Sequence, residues 1–142
     1  MRVRPAMLRL LARIVSSWSD VQVERRFGSN LGQRAIFGGM ARSFVPGAAA
    51  GFAGELEYEL SRPATGGPPI RWTIEIADGR ARARPGAAVR PRLSVSMSLP
   101  DFMRVATGSA DAVVLVLSGH ASVRGDFGLA ARLPEMFGAG AG

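Results

Sequence analysis

A chain of 142 residues with 47% hydrophobic and 20% charged residues has the length and balance of one domain around one buried core. It holds no cysteine and no lysine, which removes disulfides, thiolate nucleophiles, Schiff-base chemistry and the lysine of a phosphate-binding Walker loop. A single histidine leaves zinc short of its usual nitrogen and sulfur ligands, so neither a metal nor a cofactor is expected.

The net charge of +7 comes entirely from arginine and raises nucleic acid or an anionic membrane as a partner. The N-terminal stretch places Met7, Leu8, Leu11, Ile14, Val15 and Trp18 on one helical face, with Arg2, Arg9 and Arg13 outside it. Those arginines interrupt any long apolar run, so the segment reads as an amphipathic helix docked on its own domain rather than as a membrane span or secretory signal. The same helix could serve a partner enzyme, a second copy of the chain or a transient contact with a membrane surface. Residues 19–33 are polar and contain glycine, which reads as a connection. The expected division is 1–32 for helix and connection, 33–138 for the main domain and 139–142 for a tail.

From Gln33 to Val45, Ile36, Phe37, Met40 and Phe44 recur at helical spacing, weakened by Gly38 and Gly39, and Pro46 should end that helix. The period then changes to two. Leu56, Tyr58 and Leu60 alternate with Glu55, Glu57 and Glu59, and Trp72, Ile74 and Ile76 alternate with Arg71, Thr73 and Glu75. Asp78-Gly79 is a tight-hairpin signal leading into Arg80, Arg82 and Arg84, which alternate with Ala81 and Ala83. Leu93, Val95 and Met97 mark a fourth strand. Strands of this kind share one dry and one solvated face, and glutamates opposite arginines on the solvated face argue for cross-strand pairing rather than a nucleic-acid stripe.

Ser98, Pro100 and Asp101 form a helix start, and Gly108 a stop. A second helix is expected to start near Ser109 or Asp111 and to stop at Gly119. Its run Val113–Leu117 is apolar on every side and fits either a strand or a buried helix by periodicity, with capping favouring helix. His120–Arg124 then reads as a short strand, and Asp126 as the cap of a last helix.

The stretch SGHASVRGD, residues 118–126, sets Ser118, His120 and Asp126 close in sequence. A catalytic triad would require Asp126 to orient the imidazole while also satisfying helix N–H groups, and Ser118 lacks the G-x-S-x-G elbow that exposes a nucleophile. The joint between helix, strand and helix is the simpler reading. No catalytic residues are expected. An enzyme using His120, Asp101 or Tyr58 as acid or base stands as a lesser alternative.

The dry sheet face needs a cover, which Phe102, Val105, Leu115, Phe127, Leu133, Met136 and Phe137 can supply. A packed core and a hollow interface would use the same residues. Ala81 and Ala83, small on the inner face, and methionines at 40, 97, 103 and 136 lean toward a cavity.

In that order of elements, GFAGELEYEL, W-T-I-E-I followed by D-G, LSVSMSLPDFMRVATG and LVLSGHASVRGDFGLAARLPEMF, the chain resembles the sterol carrier protein type-2 domain family over roughly residues 35–138. The resemblance implies an α+β fold: a five-stranded mixed sheet covered on one face by about five helices, with an apolar tunnel between the layers. It implies carriage of sterols, fatty acyl chains or similar lipids, without catalysis, or service as an accessory or oligomerisation module of a lipid or quinone biosynthetic enzyme. The residues expected to meet the ligand are Tyr58, Trp72, Ile74, Leu93, Val95, Met97, Phe102, Met103, Leu115, Phe127, Leu133, Met136 and Phe137. A hydrophobic small molecule or lipid is the expected partner and nucleic acid is not. The family's C-terminal peroxisomal signal is missing, and a bacterial cytoplasmic setting is expected.

Overall fold

The computed structural model describes residues 17–137. Most of the N-terminal amphipathic segment and the C-terminal tail lie outside them. The elements run α1 (Asp20–Phe27), α2 (Asn30–Arg42), a short 3-10 turn (Pro46–Ala49), β1 (Gly54–Arg62), β2 (Gly67–Ala77), β3 (Arg80–Pro85), β4 (Pro91–Ser98), α3 (Leu99–Ala106), α4 (Ala112–Leu117), β5 (Ala121–Gly125) and α5 (Phe127–Met136). The sheet is mixed, in the order β3-β2-β1-β4-β5, with β1 and β4 parallel and the other neighbours antiparallel. The α+β fold read from the sequence is the one observed.

The period-2 segments become strands with the expected faces. Leu56, Leu60, Ile74, Ile76 and Leu93 are buried toward the helices. At the β2–β3 hairpin, Asp78 and Gly79 both take positive φ, 54° and 72°, as the tight turn with matching twist demands. Gly125 closes β5 at φ 111°, where an added Cβ would lie 2.3 Å from the carbonyl oxygen of Arg92, so this turn accepts only glycine.

The segment read as a connection, 19–33, is helical instead. Ser19 and Gln22 form a reciprocal capping box that starts α1, and Ser29 caps α2 through the N–H of Gly32. The polar look came from the caps and from an amphipathic helix whose buried residues are only Val23 and Glu24.

The sheet face expected to be solvated is partly covered. Because β3 lies at one edge and β4 on the far side of β1, the connection 86–90 crosses that face and is tied down on the way. Glu57 accepts from the N–H of Ala88 at 3.0 Å, Glu55 from the N–H of Arg90 at 2.7 Å, and the Thr73 hydroxyl donates to the Gly86 carbonyl at 2.9 Å. Thr73 is fully buried as a result. Cross-strand pairing of glutamate with arginine does occur, between Arg71 and Glu59 at 2.7 Å and between Arg84 and Glu55 at 2.6 Å.

Candidate functional site: the interface between sheet and helices

The dry face of β1, β2 and β4 meets α2, α3 and α5 in one apolar cluster. At its centre is an aromatic group. Phe37 of α2 stacks on Trp72 of β2 at 5.0 Å between ring centroids and on Phe102 of α3 at 5.7 Å, while Tyr58 of β1 meets Phe37 at 5.8 Å and Phe102 edge-on at 5.6 Å. Offset and edge-to-face pairs of this kind add about 0.5–1.5 kcal/mol each beyond the area they bury. The Trp72 indole N–H donates to the Gln33 side-chain oxygen at 2.9 Å, so its polar end is satisfied inside the interface.

The C-terminal helix closes the other end. Leu129, Met136 and Phe137 are buried. The end of α5 is tied to the segment after α2 by the N–H of Val45 donating to the Met136 carbonyl at 2.6 Å and the Ser43 hydroxyl donating to the Phe137 carbonyl at 2.9 Å.

Of the residues expected to meet a ligand, Tyr58, Trp72, Ile74, Leu93, Val95, Met97, Phe102, Met103, Met136 and Phe137 are buried in this cluster, and Leu115 and Leu133 pack against it half-buried. Phe127 does not join them: it is 68% exposed. The Asp126 cap fixes the first turn of α5, and Leu129, not Phe127, falls on the inward stripe. The apolar run of α4 also departs from expectation. It forms a helix, but none of its residues is buried, with Val113 and Leu117 65% and 82% exposed. A helix of six residues offers only one narrow stripe to the domain, and Leu115 takes it.

At the sheet edge α2 lies across β3, and Ala81 and Ala83 pack half-buried against the cluster. Phe37, central to the aromatic group, was legible as a helix-face residue but not as part of the site; its spacing with Ile36, Met40 and Phe44 was the available signal.

Elsewhere, Ser118 and His120 form a hydrogen bond, Oγ to Nδ1, at 2.8 Å on the exposed surface. Asp126 accepts from the Leu129 N–H at 3.0 Å and lies 3.9 Å from Arg92, as a helix cap does. Among the described residues no cluster of histidine, aspartate and glutamate suits a metal ion, and no helix is long and apolar enough to cross a membrane. An open cleft of about 490 Å³ lies between α1 and the β1–β2 loop. Its lining of Glu24, Arg25, Arg62 and Thr65 is polar and distinct from the apolar interface.

The family model for the SCP-2 sterol transfer family matches residues 43–138, from the end of α2 through α5. The chain belongs to the SCP-2 sterol transfer family. No curated protein sequence matches it. Among solved structures, it is similar to the sterol carrier protein domain 2 of Helicoverpa armigera, at 15% identity and a TM-score of 0.63, covering 78% of this chain and 87% of that one. It is similar at 21% identity and a TM-score of 0.53 to palmitated SCP2L2 from Aedes aegypti, covering 73% and 92% of the two chains. It is similar also to a sec-alkylsulfatase from Pseudomonas sp., at 14% identity and a TM-score of 0.61. That match takes in 72% of this chain but only 16% of the sulfatase, so the chain spans a small part of that enzyme's length. At these identities the neighbours show a shared fold.

Proposed function

We propose that this member of the family binds and transfers a hydrophobic ligand, a sterol, fatty acyl or isoprenoid lipid, between its sheet and its helices, without catalysis. The observation that carries the reading is the continuous apolar interface of β1, β2 and β4 with α2, α3 and α5, all of it but α2 within the family match over residues 43–138. Affinity would come from apolar surface removed from water, at about 25 cal/mol per Å², less the cost of ordering ligand and side chains.

A ligand would enter by displacing part of the helix layer. The element best suited to move is α5, which has Pro134 within it and buries only Leu129 and Met136 along its length. Residues that now pack on one another would then line the opened space, and Met97, Met103 and Met136 can adapt to its shape. Among the described residues the hydrogen bond of His120 is to Ser118, while Asp126 caps α5, which supports carriage over hydrolysis.

The test is to purify the protein without added lipid, extract it with organic solvent and identify the extract by mass spectrometry. Co-purifying acyl, sterol or isoprenoid species support the reading. A clean extract together with no thermal shift on adding such lipids would sink it.

The sulfatase neighbour favours a second reading, because there a like fold occupies a fraction of an enzyme's chain. On that reading the protein is an accessory or oligomerisation module that presents a lipid to an enzyme, docking through residues 1–18 in the bacterial cytoplasm. Deleting residues 1–18 would then abolish pull-down of the partner while leaving lipid binding intact.

A further inference from the structure

The buried polar side chains can be accounted for in turn. Glu24 accepts from the N–H groups of Ala64 and Thr65, Thr73 donates to the Gly86 carbonyl, Thr107 donates to the Met103 carbonyl, and Trp72 donates to Gln33. Tyr58 is the exception. It is 3% exposed and sits mid-strand in β1, between Trp72 of β2 and Val95 of β4. Its ring is held by Phe37 and Phe102, yet its hydroxyl makes no hydrogen bond among the described residues. No fully enclosed side-chain oxygen among those residues lacks a partner, so the phenol oxygen must border space that a water-sized sphere can reach. A phenylalanine would fill the same aromatic cluster without leaving a polar atom unpaired.

We propose that the Tyr58 hydroxyl is the hydrogen-bonding anchor for the oxygen of an uncharged lipid, an alcohol, ketone or ester, lying between the sheet and the helices. The inference rests on the carrier reading and narrows its ligand class. No arginine is among the buried residues, so nothing in the apolar cluster neutralises a carboxylate. Burial pushes the phenol well above its ordinary value of 10, which keeps the hydroxyl protonated and able to donate. One neutral donor in an apolar wall pairs well with one neutral acceptor, whereas a buried anion there would be left without compensation. A fatty acid would bind with its carboxylate outside this point.

The test compares the protein with its Tyr58→Phe variant by displacement of bound diphenylhexatriene, using hexadecan-1-ol, hexadecane and palmitate as competitors at neutral pH. The expected result is an affinity for hexadecan-1-ol about five- to tenfold lower in the variant, the size of one neutral hydrogen bond, with hexadecane unchanged. Equal affinity of both proteins for hexadecan-1-ol would overturn the anchor.

The chain has a single tyrosine, so its ring carbon bearing the hydroxyl gives one site-specific carbon-13 resonance. That resonance should shift when hexadecan-1-ol binds the wild-type protein and shift less with hexadecane; the same response to both also overturns the anchor, even if the variant does not fold. Failure of the wild-type protein to bind any of the three removes the carrier reading and the inference with it. Binding of hexadecane without selectivity for the alcohol removes the anchor alone.

Discussion

The carboxylate of Glu24 holds Thr65 twice, accepting from its backbone N–H at 2.9 Å and from its hydroxyl at 2.8 Å. A third bond, from the N–H of Ala64 at 2.9 Å, makes this buried side chain of α1 the clasp of the β1–β2 loop. Replacing Glu24 with Ala strips three donors of their acceptor and should cost about 2–3 kcal/mol, while Glu24→Gln, which keeps one acceptor oxygen, should cost about half as much. Urea denaturation of the three proteins measures it. Equal stability of all three would show that water replaces the carboxylate without loss.

Glu55 ties the crossover connection to the sheet, and its carboxyl is held below its ordinary value of 4.5, first by the N–H of Arg90 and further by the Arg84 guanidinium, against an opposing contribution from burial. A folded-state value below the unfolded one means a stabilising contribution that is present above the unfolded value and is lost as pH falls through the folded one. Stability should therefore decline as the solution is acidified below about pH 4.5, and the Glu55→Gln variant should decline less steeply. Parallel pH profiles of thermal midpoint for the two proteins would contradict this.

Leu117 and Leu129 are the same residue type in neighbouring helices, one 82% exposed and the other fully buried. Leu129→Ala should destabilise by about 2–5 kcal/mol, and Leu117→Ala by less than about 0.5 kcal/mol. Chemical denaturation midpoints decide it. Comparable losses in the two variants would place α4 in the core.

Gly39 lies inside α2, and a Cβ there would meet no described atom within 4 Å. Gly39→Ala should raise stability by about 0.5–1 kcal/mol, chiefly by restricting the unfolded chain and improving helix propensity. A lowered melting temperature would show that the position needs its missing side chain.

Much of the fold was legible because its signals are local. Alternation at Leu56, Tyr58 and Leu60 can satisfy only a half-buried strand. Asp78-Gly79, Ser98 with Asp101, and Asp126 are turn and cap chemistry that acts within three residues. The missed helix α1 carries a signal of the same kind, Ser19 with Gln22, hidden by the polar composition around it. Phe127 and the valines of α4 were misplaced for another reason. Apolar character says that burial is favourable, but a short helix cannot bury every side, and which side loses depends on what packs against it.

The amino-acid order by itself determined the strands, the hairpin, the helix starts and the family's succession of elements, since each depends on periodicity or on bonds between near neighbours in the chain. Only the tertiary structure decided that α2 lies across β3 at Ala81 and Ala83, that the 86–90 connection covers the polar face above Thr73, and that the Tyr58 hydroxyl has no hydrogen-bond partner among the described residues. Those outcomes depend on segments far apart in sequence competing for the same surface, and no local pattern records which of them arrives.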